Sequence, residues 1–130
     1  MERADGEAFA EEWVRAWNAH DVEAVLEHFV EDVEFTSPHA VQLLDDCDGV
    51  IRGKGALRHY WQEGLRRVPD LHFELLGVYI GVHTLVINYR NQRGGLANEV
   101  LTFTGSMLVT HGHGTYLETT PYHTARAATR

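Results

Sequence analysis

Three polar side chains of the types used in acid–base chemistry, Asn88, Arg90 and Glu99, lie in an otherwise β-rich segment, TLVINYRNQRGGLANEVLTF, residues 84–103. The Gly94-Gly95 pair predicts two strands joined by a two-residue turn, because glycine adopts positive φ angles freely. That turn pairs Arg90 with Glu99 and Asn88 with Leu101, which places all three polar side chains on one face. A turn of three or five residues would instead place Arg90 and Glu99 on opposite faces.

Glu99 is the first candidate for a catalytic residue. A carboxylate in an apolar pocket can have a raised pKa and can act as an acid or a base. In that interpretation Arg90 adjusts the pKa of Glu99 or stabilises negative charge that develops on the substrate. Asn88 then orients a ligand carbonyl. The alternative is a structural ion pair, in which Arg90 neutralises Glu99 and lowers its pKa. The sequence leaves both interpretations open.

Further candidates for ligand contacts lie on the last strand and on the helices. Tyr116 follows Gly112 and Gly114 at two-residue spacing, so two missing side chains open space beneath a phenol if that face points inward. Trp13 and Tyr60 have the spacing of core residues, and both can also touch a pocket that the helices cover.

Several histidines are candidates of a different kind. His39 and His72 lie on or beside strands that we expect to border the pocket mouth. His111 and His113 form an H-x-H pair whose rings point to one face of a strand, a spacing that can bind metal. No third ligand is evident, so we predict no metal site and place this pair on the outer, dimer-side or solvent face.

The elements that position these residues follow from periodicity, caps and turn signals. Asp21 is a plausible N-cap for the second helix, and Pro38 stops the first strand. The predicted elements are a helix over residues 5–19, a helix over Val22–Phe29, a strand over Val33–Ser37, a loop over 39–52 with an extended piece at Val50-Ile51, a helix over Lys54–Val68, a strand over Leu71–Tyr79, the hairpin, a strand over Met107–Glu118 and a frayed tail from about residue 120 to 130. Helices followed by antiparallel strands predict an α+β fold with the helices on one face of a curved sheet.

Composition restricts the class of protein. At 130 residues the chain is predicted to be a single domain, and its formal net charge of −8 argues against nucleic acid and anionic membrane as partners. No stretch is apolar and long enough for a membrane span. Cys47 is the only cysteine, which excludes an internal disulfide and favours a reducing compartment. We therefore expect a cytoplasmic protein.

Six short motifs along the chain resemble those of SnoaL-like proteins of the nuclear-transport-factor-2-like superfamily. They are AWNAHD (16–21), EFTSP (34–38), GKGALRHYW (53–61), PDLHF (69–73), YRNQRG (89–94) and GHGTY (112–116). The resemblance implies a conical α+β barrel with a pocket between sheet and helices, usually a homodimer through the outer sheet face. It does not imply one reaction, since the superfamily holds isomerases, cyclases, dehydratases, epoxide hydrolases and binding modules.

Comparison with the ketosteroid isomerases of that superfamily restricts the chemistry. Their aromatic oxyanion donor falls at Trp13, their general-base carboxylate at Ser37 and their second acid at Glu99. Ser37 cannot serve as a base unaided, so we do not expect steroid isomerase chemistry of that type, and Ser37 is instead a candidate ligand contact. Related epoxide hydrolases use an Asp-Arg-Asp set. Glu99 and Arg90 correspond in type to two members of that set, but no second carboxylate is placed to complete it.

These observations predict a SnoaL-like barrel that binds a small, mostly apolar organic molecule without a cofactor. In one hypothesis it is an acid–base enzyme of the isomerase, cyclase or hydrolase type, acting on a carbonyl, enol or epoxide. In the other it is a non-catalytic ligand-binding or dimerisation module.

Overall fold

The computed structural model describes residues 1–118, which form four helices and six strands. In chain order these are α1 (Arg3–Asn18), α2 (Val22–Leu26), β1 (Phe29–Thr36), α3 (Pro38–Leu43), β2 (Val50–Arg52), α4 (Lys54–Arg67), β3 (Glu74–Ile80), β4 (Thr84–Arg90), β5 (Leu96–Phe103) and β6 (Val109–Tyr116). The frayed tail predicted for residues 120–130 lies outside the described residues.

The strands of residues 1–118 form one curved sheet in the order β2-β1-β6-β5-β4-β3. β1 and β6 are parallel, and every other neighbouring pair is antiparallel. The register shifts within β1, within β3 and at the start of β6, and irregularities of this kind bend strands and increase their twist. With the helices on its inner face, the sheet makes the conical α+β barrel that the sequence predicts.

The helices bury the faces that their periodicity predicts. In α1 the buried stripe includes Phe9, Trp13, Ala16 and Trp17, at three- and four-residue spacing. The Phe9 ring packs edge-on against Phe103 of β5 at a centroid distance of 4.9 Å. In α2 the Asp21 carboxylate accepts a hydrogen bond from Ala24 N, which confirms the predicted N-cap.

The segment between β1 and α4 differs from the prediction. Ser37 caps a short helix, α3, by accepting a hydrogen bond from His39 N, and Pro38 occupies the first helical turn. A loop was predicted here because six residues are too few to show helical periodicity. The strand before it begins at Phe29 rather than Val33, since Phe29 pairs with Val109 of β6.

The register predicted for the β4–β5 hairpin is wrong. The connection is a five-residue loop, 91–95, in which Asn91 Oδ1 accepts hydrogen bonds of 2.9 Å from Arg93 N and Gly95 N. Asn88 therefore pairs with Asn98, and Glu99 pairs with Ile87. The register differs from the predicted one by three residues. Because three is an odd number, Asn88 and Arg90 of β4 do not share a face with Glu99 of β5.

No helix within residues 1–118 combines the length and the apolar character needed to traverse a lipid bilayer.

Candidate functional site

A cavity of about 430 Å³ lies between the helices and the inner face of the sheet. Aromatic and aliphatic side chains make most of its wall: Trp13, Trp17, Phe35, Trp61, Leu65 and Phe73. Trp13 stacks on Phe73 at a centroid distance of 5.6 Å, and Trp17 packs edge-on against Trp61 at 5.0 Å. Such interlocking rings make a rigid apolar wall.

Glu99 is the buried acidic group of this cavity. Its side chain projects from β5 to the inner face, on the same face as Ala97 and Leu101, and only 4% of the residue is exposed. Burial raises the pKa of its carboxyl from 4.5 to about 8. None of the ion pairs within residues 1–118 involves Glu99. The carboxyl is therefore mostly protonated at neutral pH and can both donate and accept a proton.

Three phenols line the cavity with Glu99: Tyr60 of α4, Tyr89 of β4 and Tyr116 of β6. The Tyr60 hydroxyl donates a hydrogen bond of 3.1 Å to Ser37 Oγ. Burial is the largest cause that raises the pKa of each phenol, and the negative charge of Glu99 adds to it. The three hydroxyls therefore keep their protons and serve as hydrogen-bond donors.

Gly112 and Gly114 of β6 both face inward and are buried. A side-chain carbon at Gly112 would lie 2.8 Å from the Phe35 ring, so that space is already filled. At Gly114 it would lie 3.0 Å from Tyr116 Oη and 3.6 Å from Glu99 Oε1. The missing side chain at Gly114 therefore leaves room in which a phenol and a carboxyl come together.

Two indole N–H groups add unused donor capacity. Trp13 Nε1 and Trp17 Nε1 are buried and have no hydrogen-bond partner among the described residues. A buried donor without a partner is unfavourable unless a ligand or a water molecule satisfies it. Since both tryptophans line the cavity, a ligand oxygen is a chemically suitable partner.

The cavity mouth is polar, unlike its wall. His39 is exposed there and stacks on the Tyr116 ring at a centroid distance of 4.0 Å. The remaining polar residues of the mouth come from α3, from the end of α4 and from the β4–β5 loop: Gln42, Arg67, Asn91, Gln92 and Arg93.

Arg90 and Asn88 lie on the outer face of the sheet, away from Glu99, so they cannot join it in one site. Arg90 is exposed and its guanidinium lies 3.4 Å from the Glu74 carboxylate on β3. Asn88 donates a hydrogen bond of 2.9 Å to Asn98 Oδ1. Both predicted arrangements of Arg90 with Glu99, the catalytic pair and the structural ion pair, are therefore wrong, because they depend on the two-residue turn.

Three of the four histidine candidates also lie outside the lining of the cavity: His72, His111 and His113. His72 is exposed and is not among the residues that line the cavity, although its neighbours Leu71 and Phe73 are. His111 and His113 project from the face of β6 opposite to its buried glycines, and His113 Nδ1 lies 2.7 Å from Thr36 Oγ1. Within residues 1–118 no three potential metal ligands come together.

Six of the candidate site residues that the sequence predicts lie in or beside this cavity: Trp13, Tyr60, Ser37, His39, Tyr116 and Glu99. Four further residues of the cavity lining were not predicted from the sequence: Tyr89, Trp17, Arg67 and Arg93. Tyr89 lies two residues after Ile87, on the same buried face of β4. This two-residue spacing is the sequence signal that could have placed Tyr89 on the inner face. No sequence signal brings Arg67 and Arg93 together, since 26 positions separate them and only the tertiary structure makes them neighbours of one cavity.

Comparison with known proteins agrees with the fold. The SnoaL-like domain family matches residues 10–121, and the chain belongs to this family. No curated protein matches the sequence. A SnoaL-like protein of unknown function from Burkholderia thailandensis is 40% identical, with a TM-score of 0.83 over 88% of this chain and 96% of that chain.

Two more distant structures share the fold alone. A protein of unknown function with a cystatin-like fold from Methylobium petroleophilum is 15% identical, with a TM-score of 0.71 over 94% of this chain and 82% of that chain. TerC, co-crystallised with polyporic acid, is 12% identical, with a TM-score of 0.70 over 85% of this chain and 90% of that chain.

Proposed function

We propose that this SnoaL-like domain binds a small organic carbonyl compound in the cavity and catalyses a cofactor-independent proton transfer on it, of the isomerase or cyclase type. Glu99 is the proposed proton carrier. The phenol of Tyr116 and the indole N–H of Trp13 are the proposed donors to the carbonyl oxygen.

The observation that carries this proposal is the state of Glu99. Its carboxyl lies in an apolar cavity with no cation paired to it among the described residues, and its pKa of about 8 is close to neutral. A general acid or base works best when its pKa lies near the working pH. At pH 7 about one carboxyl in ten is ionised, so both forms are available without a second titrating group.

The proposed step moves one proton and one electron pair. The Glu99 carboxylate removes a proton from the carbon next to the ligand carbonyl, and the C–H electron pair moves to give an enolate. Phenol and indole donors hydrogen-bond to the enolate oxygen and stabilise its charge in a largely apolar cavity. The Glu99 carboxylic acid then returns its proton to carbon, at the original position or a conjugated one.

A second candidate function is ligand binding without turnover, and one observation favours it. Ser37 is at the position where related isomerases have a carboxylate, and its oxygen already accepts hydrogen bonds from Tyr60 Oη and His39 N. Ser37 therefore cannot remove a proton from a ligand. The two candidates differ in whether a bound ketone exchanges its protons.

Hydrogen–deuterium exchange tests the proposal without knowledge of the natural substrate. 2-Acetylnaphthalene is incubated with protein in D₂O, and proton NMR follows loss of its methyl signal. We expect the wild-type protein to accelerate this exchange. The exchange rate with Glu99→Gln should be at least ~10²-fold lower than with wild type, which is within the usual range for general acid–base catalysis.

Two measurements make the result specific. Tryptophan fluorescence measures binding of the same ketone to both proteins, and Glu99→Gln should still bind it, because the substitution preserves shape. Arg90→Gln is the matched control, since Arg90 lies on the outer face of the sheet; it should exchange the ketone at the wild-type rate. Binding without exchange in the wild-type protein would establish the second candidate instead.

We also propose that the protein acts as a cytoplasmic homodimer. A reducing compartment agrees with the single cysteine. On the outer sheet face Tyr79 pairs with Val86 and Val86 with Val100, which gives an apolar row across three strands. Tyr79 is 66% exposed in the single chain. Light scattering of wild type and Tyr79→Glu, which places a charge in that row, should give dimer and monomer masses respectively.

A further inference from the structure

We propose that the ligand is an amphipathic organic acid, with its apolar, carbonyl-bearing part inside the cavity and its anionic group held at the mouth by Arg67 and Arg93. This inference rests on the proposed ligand-binding function and names the class of ligand.

The two arginines reach the mouth from separate parts of the chain. Arg67 is the last residue of α4, and Arg93 lies at the centre of the β4–β5 loop. Both are exposed, and both line the cavity that contains Glu99. The hydrogen bond from the Arg93 backbone N–H to the side-chain oxygen Asn91 Oδ1 stabilises the loop that carries Arg93.

Neither guanidinium forms an ion pair within the described part of the chain. The ion pairs of residues 1–118 include Arg66, which binds Glu63 at 2.7 Å, but neither Arg67 nor Arg93. Residues 119–130 contain no aspartate or glutamate. Two guanidiniums at one opening offer planar, paired donors that match the geometry of a carboxylate.

The charge around the cavity has the opposite sign to that of the whole protein. The chain has a formal net charge of −8, yet Glu99 is the single acidic side chain among the described residues that line the cavity. Burial keeps Glu99 mostly protonated at neutral pH. The mouth is therefore locally positive, and such a mouth favours the entry of anions.

The distribution of polarity fixes the orientation of the ligand. An anion placed deep among Trp13, Trp17 and Phe73 would lose its hydration, which is strongly unfavourable. At the mouth the anionic group stays partly hydrated beside the arginines while the apolar part displaces water from the wall. A flat aromatic acid with a carbonyl at its far end has both features.

A matched pair of fluorescent probes tests the inference. 6-Acetyl-2-naphthoate carries a ketone at one end and a carboxylate at the other, and its methyl ester has the same body without the charge. We expect wild-type protein to bind the acid about tenfold more tightly than the ester in ~50 mM KCl. Because these charges are exposed, the preference should shrink in ~500 mM KCl.

Three variants locate the source of the preference. Arg67→Gln and Arg93→Gln should each lower affinity for the acid about threefold and leave affinity for the ester unchanged, and the double variant should abolish the preference. Arg66→Gln is the matched control, because Arg66 is on the same helix turn but is paired with Glu63 and does not line the cavity. It should keep the wild-type preference.

The outcomes separate this inference from the proposed function. Equal binding of acid and ester by the wild-type protein, or a preference that survives the double variant, overturns the inference while the binding function stands. Failure of the acid, the ester and 2-acetylnaphthalene to bind overturns both. A preference lost equally in Arg66→Gln also overturns the inference, because it would reflect net charge rather than the mouth.

Discussion

Glu99 of β5 pairs with Gly114 of β6, so the buried carboxyl lies beside a position that has no side chain. A methyl group at Gly114 would come within 3.0 Å of Tyr116 Oη and 3.6 Å of Glu99 Oε1. Two of the three groups proposed to act on a ligand, Glu99 and Tyr116, thus depend on one missing side chain.

Gly114→Ala should weaken ligand binding more than it weakens the fold. The methyl group meets the far end of the Tyr116 side chain, which can shift by a few tenths of an ångström, so we expect a loss of about 1 kcal/mol or less in the free energy of unfolding. Affinity for 2-acetylnaphthalene should fall at least ~5-fold, because the phenol is displaced.

Gly77→Ala is the matched control for that variant. Gly77 is also a strand glycine, but nothing lies within 4 Å of a side-chain carbon built there. Unfolding and ketone binding of the control should match wild type within error. Wild-type affinity in Gly114→Ala would contradict the role assigned to the space at Gly114.

The free energy of unfolding should depend on pH through Glu99. Since folding raises the pKa of this carboxyl from 4.5 to about 8, the folded state favours the neutral acid. That contribution is fully present below pH 4.5 and is lost as pH rises through 8, which amounts to about 5 kcal/mol at about 1.4 kcal/mol per unit. Glu99→Gln should remove this dependence.

Urea unfolding between pH 5 and pH 9 measures the effect. The difference between wild type and Glu99→Gln should shift in favour of the variant as pH rises. Glu11→Gln, which removes an exposed carboxyl on α1, should follow the wild-type curve. Parallel curves for wild type and Glu99→Gln would show that the carboxyl is not desolvated.

The rate of ketone exchange should rise with pH around the Glu99 pKa. Removal of the proton from carbon requires the carboxylate, whose fraction grows as pH approaches and passes about 8. We expect the wild-type rate, after subtraction of the Glu99→Gln rate at each pH, to increase between pH 6 and 8 and level off above. A rate that falls over this range would mean that the protonated acid is the active form.

Asn91→Ala should destabilise the β4–β5 loop. The Asn91 side-chain oxygen accepts two backbone hydrogen bonds, from Arg93 N and Gly95 N. Losing both should lower the free energy of unfolding by about 1–2 kcal/mol and reduce the preference for the acid probe, since Arg93 is on this loop. Thermal unfolding and probe titration measure the two effects.

Asn91→Asp provides the control, because a carboxylate oxygen accepts the same two bonds. It should keep most of the stability that Asn91→Ala loses. If alanine and aspartate destabilise the protein equally, the loop does not depend on this acceptor.

Much of the fold could be predicted from the sequence. The three- and four-residue spacing of Phe9, Trp13, Ala16 and Trp17 sets which face of α1 is buried, and Asp21 sets where α2 begins. Strand alternation in β5 places Glu99 on the same face as Leu101 and Phe103. These features were predictable because each depends on residues close together in the chain.

Which charged side chains share the cavity with Glu99 was decided by the tertiary structure. The sequence puts Glu99 among apolar neighbours, but whether Arg90 joins it depends on the length of one loop. Gly94-Gly95 favours a two-residue turn, while Asn91 stabilises a five-residue loop through contacts that no periodicity reveals. Because side chains alternate along a strand, that odd difference moves Arg90 to the outer face, and no ion pair within residues 1–118 involves Glu99. Packing of α4 against the sheet then brings Arg67 and Arg93 to one mouth, a relation between distant residues that only the folded chain determines.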